Sequence, residues 1–311
     1  MELSKHKAER FKVFVLGRDI NDGMLFKLIM YAILTAVAIM YLQPLIYMIS
    51  TSLKTNADLS DPTVNFIPSV LHWENYEVAL RGLKYLESLW QTALVTTGSA
   101  VLQVLSCALT GYAFARLTFP GKNVLFFIVL LTFMIPQGTM SIPIYVVYSN
   151  LQLLDSAWPF LLPEALGQGL RGGLFILIFR QFFATLPKEL EESAKIDGSG
   201  AFRTYVKIML PLSRPAMLVV FLFSFVWHWN DLIGPTTFLR SGESLRMMAY
   251  QLKIMPQNLT SSAGNYMLYF DLIETQIMAG AFLVILPLLV LYAIAQRQFV
   301  QGIERTGVVG E

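Results

Sequence analysis

An all-α integral membrane protein of six transmembrane helices is the fold class that the sequence predicts, and three observations predict it. The 311 residues are 55% hydrophobic and only 14% charged, a charge density well below that of a soluble domain. Apolar runs of about 20 residues or more recur along the chain, each long enough to cross a hydrocarbon core of roughly 30 Å. The lysines and arginines fall between those runs, and unequally on the two sides that they define.

Residues 1–24 form a polar, basic tail, and the apolar run after them is too long for a signal-peptide core and has no small-residue cleavage site. The first span is therefore Leu25–Ser52, uncleaved. The others are Ser88–Ala115, Lys122–Ser149, Ala157–Ala184, Pro215–Leu239 and Ile277–Phe299. Each is expected to be helical, because a backbone at bilayer depth must satisfy its own hydrogen bonds. Pro136 and Pro143 predict kinks in the third, since proline removes a donor and clashes with the preceding turn. With both termini in the cytoplasm, sixteen flanking lysines and arginines lie inside and six outside, which is the sense of the positive-inside rule. External loops then run over Leu53–Glu87 and Arg240–Gln276, and the latter holds "NLT", Asn258 to Thr260, a glycosylation acceptor pattern. The resulting division is the tail 1–24, a first helix and external loop 25–87, a five-helix region 88–299 and a tail 300–311.

Several function classes fall away. A net charge of +2 with no basic patch gives no nucleic-acid surface. The single cysteine, Cys107, can form neither an internal disulfide nor a thiolate metal site. His6, His72 and His228 are widely dispersed, and no Walker A loop, H-E-x-x-H pair or aspartate-rich metal motif is present. The chain is expected to bind no metal or cofactor and to catalyse nothing. "GQGLRGG", Gly167 to Gly173, satisfies the dinucleotide fingerprint, but it lies inside an apolar span with no strand before it; close helix packing or a local helix break accounts for it better.

One polar interruption stands out. "EESAKIDGSGAFRTYVKIMLP", Glu191 to Pro211, puts Glu191, Glu192, Lys195, Asp197, Arg203 and Lys207 between two strongly apolar stretches. Leu190 to Ile196 predicts a short helix, Asp197 and Gly198 a turn, and Ala201 to Met209 a second helix closed by Pro211. Phe202, Tyr205, Val206 and Met209, spaced by three and four, give that second helix one apolar face. Such a knob either docks a soluble partner or lies on the bilayer surface, and periodicity alone leaves both open.

The order of these residues resembles the E-A-A-x-x-x-D-G-A motif of the permeases of binding-protein-dependent ABC importers. It reads Glu192, Ser193, Ala194, then Asp197, Gly198 and Ser199, with the Leu-Pro pair at Leu210 and Pro211 where that family has it. The likeness covers nearly the whole chain and resembles the carbohydrate-uptake, MalG-like branch. "PLIYMISTSLK" (Pro44–Lys54), "HWENY" (His72–Tyr76), "GYAFARLTFPGK" (Gly111–Lys122), "MIPQGTMSIPIY" (Met134–Tyr145) and "WHWND" (Trp227–Asp231) are its other stretches. The tail departs from the pattern, with Gly302, Gly307 and Gly310 in place but Val309 where a lysine is usual.

The resemblance implies a type I ABC importer permease fold, with residues 88–299 as its transmembrane domain and residues 187–213 as the coupling loop that docks in the ATPase. It gives docking roles to Glu192, Ser193, Ala194, Asp197, Gly198, Ser199, Tyr205, Leu210 and Pro211. It also implies a second homologous permease subunit, two ATPase subunits that hold ATP and magnesium, an external solute-binding protein, a sugar as cargo and a place in a prokaryotic cytoplasmic membrane. Polar groups inside spans are costly and usually face a cavity or a partner. Trp227, Asn230, Asp231 and Gly234 are expected on one face of the fifth span, and Glu164 and Arg171 on one face of the fourth. These line a sugar pathway, or else pair with each other or with the partner permease. A self-powered secondary transporter or channel is the rival reading; it predicts internal repeat symmetry and an ion site and leaves the polar helix-turn-helix unused. A membrane-embedded enzyme would need a catalytic cluster that the sequence lacks.

Overall fold

Apolar runs become helices here, but prolines, glycines and buried polar groups decide where each helix stops. The computed structural model describes residues 23–240, 244–263 and 270–307, with the side chains of 137, 260–263, 270–273 and 298–307 left aside. All regular structure among them is helical. In chain order the helices are α1 Met24–Ser52, α2 Asn56–Ser60, α3 Glu74–Gly82, α4 Tyr85–Arg116, α5 Lys122–Met134, α6 Gln137–Asn150, α7 Trp158–Ala165, α8 Gly172–Thr185 and α9 Glu189–Ile196. Then come α10 Ala201–Leu212, α11 Arg214–Trp229, α12 Ile233–Phe238, α13 Met248–Ala263 and α14 Phe270–Gly307.

Among the described residues, three continuous helices are long and apolar enough to cross a membrane: α1, α4 and the Glu274–Arg297 part of α14. The remaining predicted spans are interrupted. The third is not one kinked helix: it breaks at Ile135 and Pro136 into α5 and α6, inclined at 102°. Pro136 sits just before the second piece with extended backbone, whereas Pro143 lies inside α6 without ending it. At 1.5 Å per residue, pieces of 13 and 14 residues are only about 20 Å long. The fourth is divided into α7 and α8 by residues 166–171, where Gly167 and Arg171 take positive φ. The fifth ends at Trp229; residues 230–232 turn the chain before α12. Helices α10 and α11 meet at 76°. The stretch Arg240–Gln276, expected as a connector, instead contains α13, because Met248 and Met255 are completely buried beside Ala279 of α14. Asn258 of the glycosylation pattern accordingly lies on a helix. Gly302 and Gly307 lie in α14, while the expectations for residues 1–22, Val309 and Gly310 concern residues outside those described.

Helix α4 is the central post. Ser88, Thr92, Thr96, Ser99, Gln103, Cys107 and Gly111 recur at three or four residues down one side, and all are buried. Small and hydroxylated side chains let neighbouring backbones approach closely, as association within a bilayer favours. At Gly111 the approach excludes any side chain: a Cβ there would stand 2.5 Å from Phe179 Cβ and 2.9 Å from Arg180 N. Phe175, Phe179 and Phe183 of α8 pack along α4 with Val104, Ala108 and Tyr112, and Val220 of α11 completes this core. A second core gathers Ala79, Leu83, Trp229, Met248, Met255, Ala279 and Val284. There Trp229 Nε1 donates to Val284 O at 3.0 Å and Tyr85 Oη donates to Leu283 O at 3.2 Å. Helix α1 lies against α14, where Tyr47 Oη donates to Glu274 Oε1 at 2.9 Å, but most of its surface is exposed and only residues near its end are buried.

Candidate functional site

The polar stretch folds as its pattern predicts, a short helix, a tight turn and a second helix. Gly198 takes φ +74° in the turn, a conformation that side-chain-bearing residues rarely adopt. The Ser199 N–H closes the end of α9 on Ala194 O at 2.8 Å. A Cβ built at Gly198 meets nothing within 4 Å. Within this chain, then, only the backbone demands glycine there.

The apolar face of α10 divides in two. Tyr205 and Met209 are buried, while Phe202 is 70% exposed and Val206 is also exposed. A π-helical turn over Tyr205–Met209 sets this part of α10. Tyr205 lies beneath the loop, its ring 5.1 Å from Tyr112 of α4 and 6.4 Å from Phe183 of α8. The outer surface carries Phe202, Val206 and Ile196, the last 86% exposed, among the charged heads of Glu192, Lys195, Asp197, Arg203 and Lys207. Glu192, Ser193, Asp197, Gly198 and Pro211 are exposed on this side, Ser199 and Leu210 half-buried, and Ala194 and Tyr205 buried.

Arg116, the last residue of α4, braces this element. Its Nε donates to Phe183 O at 2.9 Å, its Nη2 donates to Leu186 O, and its Nη1 lies 3.8 Å from Glu191 Oε2 of α9. Both partners of that ion pair are largely buried. The guanidinium thus bonds carbonyls at and just past the end of α8, where a helix C-terminus leaves acceptors over, and joins three elements at one point.

The other polar residues are sorted differently from their expected faces. Glu164 and Arg171 do not share a helix face, because the chain breaks between them. Glu164 is 2% exposed. Its Oε1 accepts from Leu170 N at 2.7 Å and lies 2.8 Å from His228 Nε2 of α11. Nδ1 of that ring lies 2.8 Å from Ser224 O, so both nitrogens face oxygen acceptors, an arrangement that an imidazolium satisfies. Ser224 Oγ donates to Gln103 Oε1 at 2.5 Å, and Gln103 Nε2 donates to Leu170 O at 2.8 Å. A Cβ at Gly169 would stand 1.8 Å from the Glu164 carboxylate. The glycine-rich run therefore breaks the helix and admits a buried carboxylate.

Arg171 instead points its guanidinium at rings, 5.5 Å from the Trp227 centroid and 5.7 Å from that of Phe133. Trp227 stacks on Phe175 at 5.3 Å. Asn230 and Asp231 do not continue the Trp227 face, since α11 has ended. Asn230 is exposed and its Nδ2 donates back to Val226 O, while Asp231 Oδ1 accepts from Ile233 N and Gly234 N at 3.0 and 3.1 Å and caps α12. His228, Gln103 and Ser224 escaped the sequence reading as partners, since nothing local marks residues 64 to 121 positions apart as bonded.

Among the described residues no group of three or more His, Cys, Asp or Glu side chains is placed to hold a metal ion. The architecture matches that of a bacterial ABC transporter involved in the import of the acidic polysaccharide alginate, with a TM-score of 0.72 over 88% of this chain and 96% of that one, at 24% identity. The arabinooligosaccharides transport system permease protein AraQ of Bacillus subtilis is 28% identical over 88% of this chain and 92% of its own length. The sn-glycerol-3-phosphate transport system permease protein UgpE of Yersinia pestis is 33% identical over 71% of this chain and 72% of its own. A family model covers residues 107–305, from the last third of α4 through the helix-turn-helix into α14. That stretch holds both the braced polar element and the buried Glu164–His228 pair, and by it this chain belongs to the inner membrane components of binding-protein-dependent transport systems.

Proposed function

We propose that this chain is one translocation subunit of an ATP-driven carbohydrate importer and that α9 and α10 couple it to a separate ATPase. The observation that carries the reading is the two-sided construction of α10. Tyr205 and Met209 fix its inner side to α4 and α8, and Arg116 ties α9 to α8 through Glu191, while Phe202 and Val206 of α10 and Ile196 of α9 are left outside. An apolar row in a charged setting suits a helix-in-groove contact with a soluble partner. Glu192, Ser193, Ala194, Asp197, Gly198, Ser199, Leu210 and Pro211 then shape that contact, with both termini and this element on the cytoplasmic side. ATP and magnesium belong to the two ATPase subunits, a second homologous permease supplies the other half of the pathway, and an external binding protein delivers the cargo.

For the cargo, Trp227 and Arg171 are the side chains best disposed: a ring face beside a guanidinium suits stacking on a sugar with hydrogen bonds to its hydroxyls. Asn230 and Asp231 lie nearby in sequence at the end of α11, and sealed Glu164 holds the break that presents Arg171. The relatives above are named for an arabinooligosaccharide and for glycerol phosphate, so the branch is proposed as carbohydrate with the particular solute unspecified.

The test is Gly198→Arg beside Gly198→Asn. Asparagine tolerates left-handed backbone and, with open space at the Cβ, should keep ATPase association and uptake. Arginine should insert into the membrane normally yet fail to co-purify with the ATPase. Normal uptake by Gly198→Arg would refute the docking.

A further inference from the structure

The two helices of the polar element are mounted on the rest of the chain by different means. Helix α10 is held by packing, with Tyr205 and Met209 buried in the core that contains Tyr112 and Phe183. Of α9 only Ala194 is buried, while Glu189, Glu192, Ser193, Lys195 and Ile196 are exposed. Besides half-buried Leu190, the group that α9 turns inward is a charge, the Glu191 carboxylate, whose side chain is 14% exposed.

That carboxylate meets Arg116 in an unusual way. The partner is rigidly set: Nε donates to Phe183 O at 2.9 Å and Nη2 donates to Leu186 O, so the guanidinium is clamped to the end of α8 and cannot follow α9. Toward Glu191 it offers Nη1 at 3.8 Å, longer than a hydrogen bond. A hydrogen bond weakens steeply with distance and angle, whereas the attraction of two charges falls only as the inverse of their separation. This contact therefore tolerates a tilt of α9 that the packed rings beneath α10 would resist. Both side chains are largely out of water, where screening by salt is weak and losing one partner would strand the other. The link thus bends without parting.

We propose that the Arg116–Glu191 pair is an electrostatic joint, on which α9 rocks when the ATPase moves and through which that movement passes to α4 and α8. Glu191 is then a positioning residue that acts through Arg116, distinct from the residues that touch the ATPase. The inference rests on the reading of α9 and α10 as the coupling element. Because Arg116 holds the last turn of α8, movement given to that helix is felt at its other end, the break at residues 166–171.

The experiment uses the full importer in nanodiscs and compares Glu191→Gln, which keeps the shape and removes the charge, with Glu191→Asp, which keeps the charge and shortens the side chain. At a separation of about 5 Å the aspartate would retain roughly three quarters of the attraction. Both variants should co-purify with the ATPase as the parent does. ATP added with EDTA, so that it binds without being hydrolysed, should change hydrogen exchange over residues 166–171 in the parent and in Glu191→Asp. That change should be lost in Glu191→Gln. Arg116→Gln combined with Glu191→Gln buries no unpaired charge; it should lose the change too, and it replaces the single variant if that one fails to assemble. A response in Glu191→Gln equal to the parent's, or equal losses in Glu191→Gln and Glu191→Asp, would overturn the proposal, because charge would then not matter. Release of the ATPase by Glu191→Gln would also overturn it, making Glu191 a docking residue. A parent that does not respond to ATP would instead refute the coupling reading, and this inference with it.

Discussion

Replacing Tyr205 by alanine removes the ring that lies between Tyr112 and Phe183 at 5.1 and 6.4 Å, and Met209 alone then remains as a large buried side chain beneath α10. Truncating a buried aromatic side chain costs about 3–5 kcal/mol, of which each ring pair accounts for about 0.5–1.5 kcal/mol. At about 1.4 kcal/mol per tenfold, the equilibrium of α10 between seated and unseated states shifts by roughly two to three and a half powers of ten. The outer face, with Phe202 and Val206, is untouched. In proteoliposomes the Tyr205→Ala importer should therefore retain its ATPase subunits and hydrolyse ATP while uptake falls, and hydrogen exchange over residues 201–212 should lose protection. Tyr205→Phe keeps both ring contacts and should behave as the parent. The resemblance to the permease family assigned Tyr205 to the docking surface itself, and the assay separates the two roles. If Tyr205→Ala releases the ATPase as completely as Gly198→Arg does, with protection over 201–212 unchanged, the ring faces the partner and the bracing argument is refuted.

Three further outcomes follow from the geometry. Gly111→Leu drives a side chain into Phe179 Cβ and Arg180 N at 2.5 and 2.9 Å, so it should lower stability by about 1–3 kcal/mol or more, read as a drop in the thermal midpoint in detergent; an unchanged midpoint would mean that α4 and α8 pack less closely. For Glu164 and His228, bonded at 2.8 Å and both buried, a cycle of Glu164→Gln, His228→Gln and the double variant should give a coupling of about 0.5–3 kcal/mol, and strictly additive losses would deny the pair. The Ser69 hydroxyl and then the Thr55 backbone N–H donate to Asp58 and hold its carboxyl below the ordinary value of 3.8. A depressed value means stability present above pH 3.8 and lost as the pH falls through the lower, folded value. A spin label on residue 67 should accordingly stay immobile down to about pH 4 and loosen only below it, and Asp58→Asn should loosen it at neutral pH.

How much was legible in the sequence depended on whether the cause was local. The Asp197–Gly198 turn and the two short helices around it follow from residues adjacent in the chain, and both are present; at Pro136 the sequence predicts a kink and the structure has a full break. The division of the fourth span was less legible, because Leu166 and Leu170 keep the run apolar and only the glycines of "GQGLRGG" hint at a stop. What requires the break is the Glu164 carboxylate seated against Gly169, and its partner His228 lies 64 residues away on another helix. The same limit hid α13: its sequence reads as a polar connector until Met248 and Met255 find Ala279. The fifth-span face failed for a geometric reason. Offsets of zero, three, four and seven mark one face only while a helix continues, and α11 stops at Trp229.

Helix α4 meets both candidate sites. Gln103, at its middle, bonds Ser224 and Leu170 beside the Glu164–His228 pair, and Tyr112 and Arg116, about two and a half to three and a half turns on, seat α10 and α9. From Tyr85 to Arg116 it is one unbroken helix of 32 residues without proline, whereas the elements that it contacts at each end are short or broken. A displacement of the helix-turn-helix is therefore resisted along α4 and yields at the breaks, residues 166–171 and 230–232, where no continuous backbone ladder opposes rotation. Those two breaks carry Arg171 at one edge and Asn230 and Asp231 at the other, with Trp227 between them in space by its contact with Arg171. Stiffness along α4 and compliance at the breaks together place the groups proposed to meet cargo where motion of the helix-turn-helix proposed to couple to the ATPase would be felt most.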